Sequence, residues 1–137
     1  MKEVAKTSFL EVTEGILKNL RDARNKIKDL SDQIADKELE AAQVNDQLNL
    51  ARAQAFVKAA TDVSKVSGKL INPNIDSQKA ACEIILKKVD GYEDALLAHR
   101  EMLTSIQKMK NEITCQHERR GDLKSKIQLL QLIATED

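Results

Sequence analysis

Aromatic residues are almost absent from this 137-residue chain: Phe9, Phe56 and Tyr92 are all it has, and there is no tryptophan. Sheets favour aromatic and β-branched side chains and need turns at short intervals. One proline and four glycines cannot supply those turns, so a β-sandwich or barrel is excluded. Net charge is missing too, because 22 Lys+Arg balance 22 Asp+Glu, and the balance holds within each half. That disfavours a protein held to nucleic acid by a whole-chain positive field. No acidic or basic tail is present to act as an interaction arm. No apolar run approaches the ~18 residues of a membrane span. Met1 to Ile16 interleaves acids and bases and lacks the apolar stretch and cleavage site of a secretory leader. The expectation is a cytoplasmic chain with no membrane contact.

Reactive side chains are equally sparse. Cys82 and Cys115 share no metal-type spacing and read as two reduced thiols on helices. His99 and His117 are the only imidazoles, and neither stands in a Glu-x-x-His or His-x-x-x-His arrangement. Gly68, Gly91 and Gly121 are isolated, so no Gly-rich phosphate loop can form. We therefore expect no enzyme, no catalytic residues, no metal site and no cofactor.

What remains is the composition of long helices: Ala, Glu, Lys, Leu, Gln and Asp dominate. The first segment carries a sustained heptad. One row is Phe9, Ile16, Ala23, Leu30, Lys37, Val44 and Ala51. The second row lies four residues after all but the first of these: Leu20, Ile27, Ile34, Ala41, Leu48 and Ala55. Only Lys37 breaks the apolar seam. A 3.5-residue spacing held this long is a coiled-coil signal. A helix of about 60 residues is about 90 Å long, so an elongated molecule is expected.

Punctuation divides the rest. Ser67-Gly68-Lys69-Leu70-Ile71-Asn72-Pro73-Asn74 reads as a loop. A short helix follows, capped by Asn74 or Asp76, with Ala80, Ala81, Ile84, Ile85 and Val89 as its packing stripe. Asp90-Gly91 closes it, and Tyr92 beside Gly91 is placed to staple the elbow. The last helix repeats the heptad less purely, with Ala95, Met102, Met109, Gln116, Leu123 and Leu130 in one row. His99, Ile106, Ile113, Arg120, Ile127 and Ala134 form the other. The fold expected is all-α: a single elongated domain over residues 1–137, built as a long antiparallel coiled-coil hairpin with a short extra helix at the elbow. Its parts are a helix over about 7–66, an elbow loop at 67–74, a helix over about 75–88 and a helix over about 92–134.

Setting Val66 beside Glu93 gives a register. In it, Lys37 shares one polar layer with Gln116 to Gly121, and the last helix ends opposite residue 25. Phe9, Val12, Ile16, Leu17 and Leu20 would then overhang as an unpartnered apolar stripe. Such a stripe points to self-association or to another protein. Two local basic clusters, Arg21, Arg24, Lys26 and Lys28 with Arg119, Arg120, Lys124 and Lys126, fall in the half of the hairpin away from the elbow. They are the candidate contact for nucleic acid, although Asp22, Asp29, Glu118 and Asp122 are interleaved with them.

One resemblance rests on Asn74-Ile75-Asp76-Ser77-Gln78-Lys79-Ala80-Ala81, the break Val89-Asp90-Gly91-Tyr92, the run from Glu93 to Ile133, and Leu50-Ala51-Arg52-Ala53-Gln54-Ala55-Phe56 before them. Over about residues 35 to 130 the chain resembles small all-helical proteins of phages and prophages, often encoded near recombination or replication genes. It departs from them in its polar elbow with Pro73 and in Gly91, where proline is expected. The resemblance implies a phage-type accessory protein and assigns no functional residue. The leading functional expectation is a non-enzymatic interaction protein, an adaptor, spacer or inhibitor, forming a homo-oligomer and binding a protein partner. Its contacts are expected at the N-terminal stripe and at the elbow from Lys65 to Tyr92. The alternatives are a nucleic-acid-binding accessory protein and a structural component of a secretion or phage particle.

Overall fold

The computed structural model describes the backbone of residues 3–135 and the side-chain exposure of residues 8–135. The protein is all-α. Helix α1 spans Glu3–Thr61, α2 spans Ile75–Lys87 and α3 spans Tyr92–Thr135. No helix is long and apolar enough to cross a membrane among the described residues.

The heptad of α1 is its packing face. Every position of the two rows from Phe9 to Ala55 is buried or half-buried, Lys37 included. In α3 both rows are likewise covered except at Ala134. The buried set consists of Ile16, Leu30, Ile34, Leu48, Leu86, Ile106 and Leu123 with alanines at 23, 41, 55 and 59. Small residues at the seam let helix backbones approach closely.

Helix α1 stops at Thr61, not near residue 66, and the connection is residues 62–74 rather than 67–74. Local chemistry ends the helix there. The Ser64 side chain accepts the backbone N–H groups of Val66 and Ser67 at 3.3 and 3.4 Å, which competes with helical bonding. The backbone then pairs with itself: Ser64 N–H donates to Lys69 O at 2.8 Å and Ile71 N–H to Asp62 O at 3.0 Å. An isolated bridge joins Val63 to Leu70. Gly68 closes this small turn at φ 68°, a conformation that costs other residues about 1–2 kcal/mol.

The connection is tied to the end of α1. Asn72 Nδ2 donates to Ala59 O at 3.1 Å, satisfying a carbonyl that a helix C-terminus leaves orphaned. Gln78 Nε2 in turn donates to Asn72 O at 3.2 Å. Of the two candidate caps for α2, Asn74 serves: its Oδ1 accepts Ser77 N–H at 2.8 Å, and Ser77 completes a capping box. The packing stripe of α2 differs from the expected one. Leu86 is buried and Gln78, Ala81, Cys82 and Ile85 are half-buried, whereas Ala80, Ile84 and Val89 are exposed. The apolar pattern is ambiguous because Ile84, Ile85 and Leu86 are adjacent, and of these the last two are covered.

Contacts gather into two compact units, one of Met1–Asp36 with Ile106–Asp137 (unit 1) and one of Lys37–Ser105 (unit 2). In unit 2, the Cys82 thiol lies 3.8 Å from Arg52 O. Arg52 Nε donates to the Tyr92 hydroxyl at 2.9 Å, and the guanidinium carbon lies 6.0 Å from the ring centroid. Tyr92 thus anchors the start of α3 to Arg52, not to the end of a longer α1. The register expected from Val66 beside Glu93 is displaced by about four turns, or about 20 Å. In unit 1, correspondingly, Ile16 is only 9% exposed and Phe9 and Leu20 are half-buried. Of the expected overhang of Phe9, Val12, Ile16, Leu17 and Leu20, three residues are therefore covered, while Val12 and Leu17 are exposed.

Two glycines give opposite expectations. A Cβ at Gly121, inside α3, would meet nothing within 4 Å, so Gly121→Ala should stabilise the protein by about 0.5–1 kcal/mol. Gly68→Ala should destabilise it by about 1 kcal/mol, because its positive φ strains any Cβ. Urea denaturation of both variants checks the pair of signs.

Candidate functional site

In unit 1, α1 and α3 border one open depression lined by Leu17, Leu20, Arg21, Arg24, Arg120 and Lys124. Helical spacing explains the set. Leu17, Leu20, Arg21 and Arg24 recur at three and four residues, so they share one flank of α1, and Arg120 and Lys124 are an i, i+4 pair on α3. Two of the six lining residues are leucine and four are cationic. Among the described residues, no acid lines the depression. Asp22, Glu118 and Asp122 are neighbours in sequence, but successive helical residues turn by about 100° and point elsewhere.

Arg120 is the unusual member. It occupies a seam position of α3, so its stem is half-buried, and its Nε is buried without a hydrogen-bond partner. One turn earlier, Gln116 donates from Nε2 to Glu112 Oε1 at 2.9 Å, while its Oε1 is buried and unpaired. An unmet buried polar atom costs about 1–3 kcal/mol. Like charges converging on one surface add repulsion, which salt screens. Such a departure from good packing marks a place where stability is given up, and functional sites are where that usually happens.

The structure thus joins one half of each basic cluster. Arg21 and Arg24 meet Arg120 and Lys124, whereas Lys26, Lys28, Arg119 and Lys126 lie outside the depression and are exposed. Of the expected protein-interface residues, Leu17 and Leu20 line this same depression, Ile16 is in the core, Phe9 is half-buried, and Val12 is exposed. Leu10, Leu129, Leu132 and Ile133 are exposed as well and belong to the same unit. Like Val12 and Leu17, they lie off the heptad rows.

A second concentration of exposed apolar side chains lies in the elbow of unit 2. Val63, Leu70, Ile71, Ile75, Ile84 and Val89 are all exposed, and Val66, at the tip of the bonded turn, is 98% exposed. The turn holding it is closed by Gly68 N–H to Ser64 O at 2.9 Å and by the Ser64–Lys69 bond.

His99 is half-buried and His117 exposed. Cys82 and Cys115 are free thiols. Among the described residues, no group of three or more His, Cys, Asp or Glu side chains could hold a metal ion. Comparison with protein-family models, with curated proteins and with solved structures finds no match.

Replacing Arg120 with methionine keeps the stem and removes both the orphaned Nε and one converging charge. Arg120→Met should raise stability by about 1 kcal/mol. Arg119→Met, at an exposed position, should change it by no more than about 0.5 kcal/mol. Thermal unfolding at low salt checks the contrast.

Proposed function

We propose that this is a non-enzymatic protein-interaction protein, an adaptor, spacer or inhibitor, built as an antiparallel coiled-coil hairpin. The hairpin reading is supported by α1 and α3 both contributing to each unit and by the Arg52–Tyr92 anchor. Its working end is the elbow. The observation that carries this reading is Val66, held 98% exposed in an ordered turn and flanked by the exposed Leu70, Ile71 and Ile75. An isolated exposed apolar residue means little. A row of them on a loop stiffened by its own backbone bonds and tied to α1 through Asn72 is pre-organised to dock. Pre-organisation lowers the ordering cost of binding.

Self-association is the second element of the proposal. Its surface keeps Val12 of the stripe first expected and adds exposed residues beside it, Leu10 on α1 with Leu129, Leu132 and Ile133 on α3. In an antiparallel pair these lie at the same end of unit 1.

The two elements separate experimentally. Light scattering should give the wild-type chain a mass above the 15.3 kDa of one copy, and Val12→Asp with Leu132→Asp should return it to one copy. Val66→Asp should leave mass and helicity unchanged and abolish retention of a protein partner from the source cells. A wild-type mass of one copy would contradict the self-association element. Retention unchanged by Val66→Asp would contradict the elbow.

A further inference from the structure

We infer that the depression of unit 1 docks an acidic protein segment that carries an apolar anchor. It lies in a different unit from the elbow, and the inference does not depend on the elbow's role.

The argument starts from the rim. Arg21, Arg24, Arg120 and Lys124 converge without an acid among the lining residues. A chain of zero net charge has ample acids to place there, and none is used. The missing counter-charge is therefore to be supplied from outside. Three of the four cations are arginines, whose planar fork pairs carboxylates with two parallel hydrogen bonds.

The two leucines decide between kinds of polyanion. Leu17 and Leu20 offer apolar surface that a phosphodiester backbone cannot cover. None of the three aromatic residues lines the depression, so there is no platform for stacking bases. The neutral chain also lacks the long-range field on which nucleic-acid association draws. An amphipathic segment with leucine-like side chains over Leu17 and Leu20 and carboxylates on the arginines satisfies both parts. Buried apolar anchors ringed by charged rim contacts are the ordinary anatomy of a protein interface.

The test is fluorescence anisotropy with the full chain. The probe is a labelled synthetic helix bearing one leucine stripe flanked by glutamates. Control peptides replace the glutamates by glutamine or the leucines by alanine, and labelled single-stranded and duplex oligonucleotides complete the set. The probe should bind with an affinity that falls with added salt, and each control peptide should bind about tenfold or more weakly. The variant Arg21→Glu with Arg24→Glu changes two exposed side chains and should keep its helicity. It should lose the probe to the same degree and gain a leucine-stripe peptide flanked by lysines. Val66→Asp should bind the probe as the wild type does, so failure at the elbow leaves this result standing. No binding of the probe at low salt would overturn the inference, as would equal binding by the Arg21→Glu, Arg24→Glu variant. Tighter binding of an oligonucleotide than of the probe would reassign the depression to phosphate and overturn it as well.

Discussion

One row of contacts carries this protein: the 3.5-residue apolar seam of α1 from Phe9 to Ala55. Everything else is arranged against it. The seam is thin, with alanine at four of its buried positions or beside them, so each contact buries little and the fold rests on their number. A two-helix seam also offers no enclosed interior. Polar side chains that interrupt it, such as Gln116 and Arg120, are only half-buried and can be left with unmet donors and acceptors. At a seam's edge the cost of such groups stays within a few kcal/mol.

The seam does not set its own register. Heptad rows can slip by a whole repeat and still match apolar to apolar, so the partner positions must be fixed elsewhere. Here they are fixed at the elbow. Asn72 ties the connection to Ala59, Cys82 lies against Arg52, and Tyr92 bonds the same arginine. By folding α2 against the last turns of α1, the chain brings the start of α3 to Arg52. Tyr92 is therefore a structural determinant of unit 2.

How much of this was legible in the sequence follows from the same division. Helix content and the identity of the packing rows were readable, because periodicity acts locally and every row position of α1 is covered. The end of α1 was not, because Asp62 to Val66 contains nothing that forbids a helix. The Ser64 hydrogen bonds and the backbone pairing of residues 62–71 end it locally, and neither has a distinctive sequence signature. The five-residue error there, with the unrecognised packing of α2, produced the wrong register. The supposed overhang followed from it. The basic clusters were visible as runs of charge. Their convergence on Leu17 and Leu20 was not, since it depends on which residues of α3 face Arg24.

The candidate depression therefore stands or falls with the pairing of Leu20 and Arg24 with Arg120 and Lys124. The most direct test is chemical cross-linking of Leu20→Cys with Lys124→Cys in a chain whose own thiols are replaced by Cys82→Ser and Cys115→Ser. A bifunctional thiol reagent spanning about 10 Å, the usual distance between packed helices, should join the pair within one molecule in high yield. Failure to form the intramolecular link, in a variant that retains wild-type helicity, would contradict the register and dissolve the site built on it.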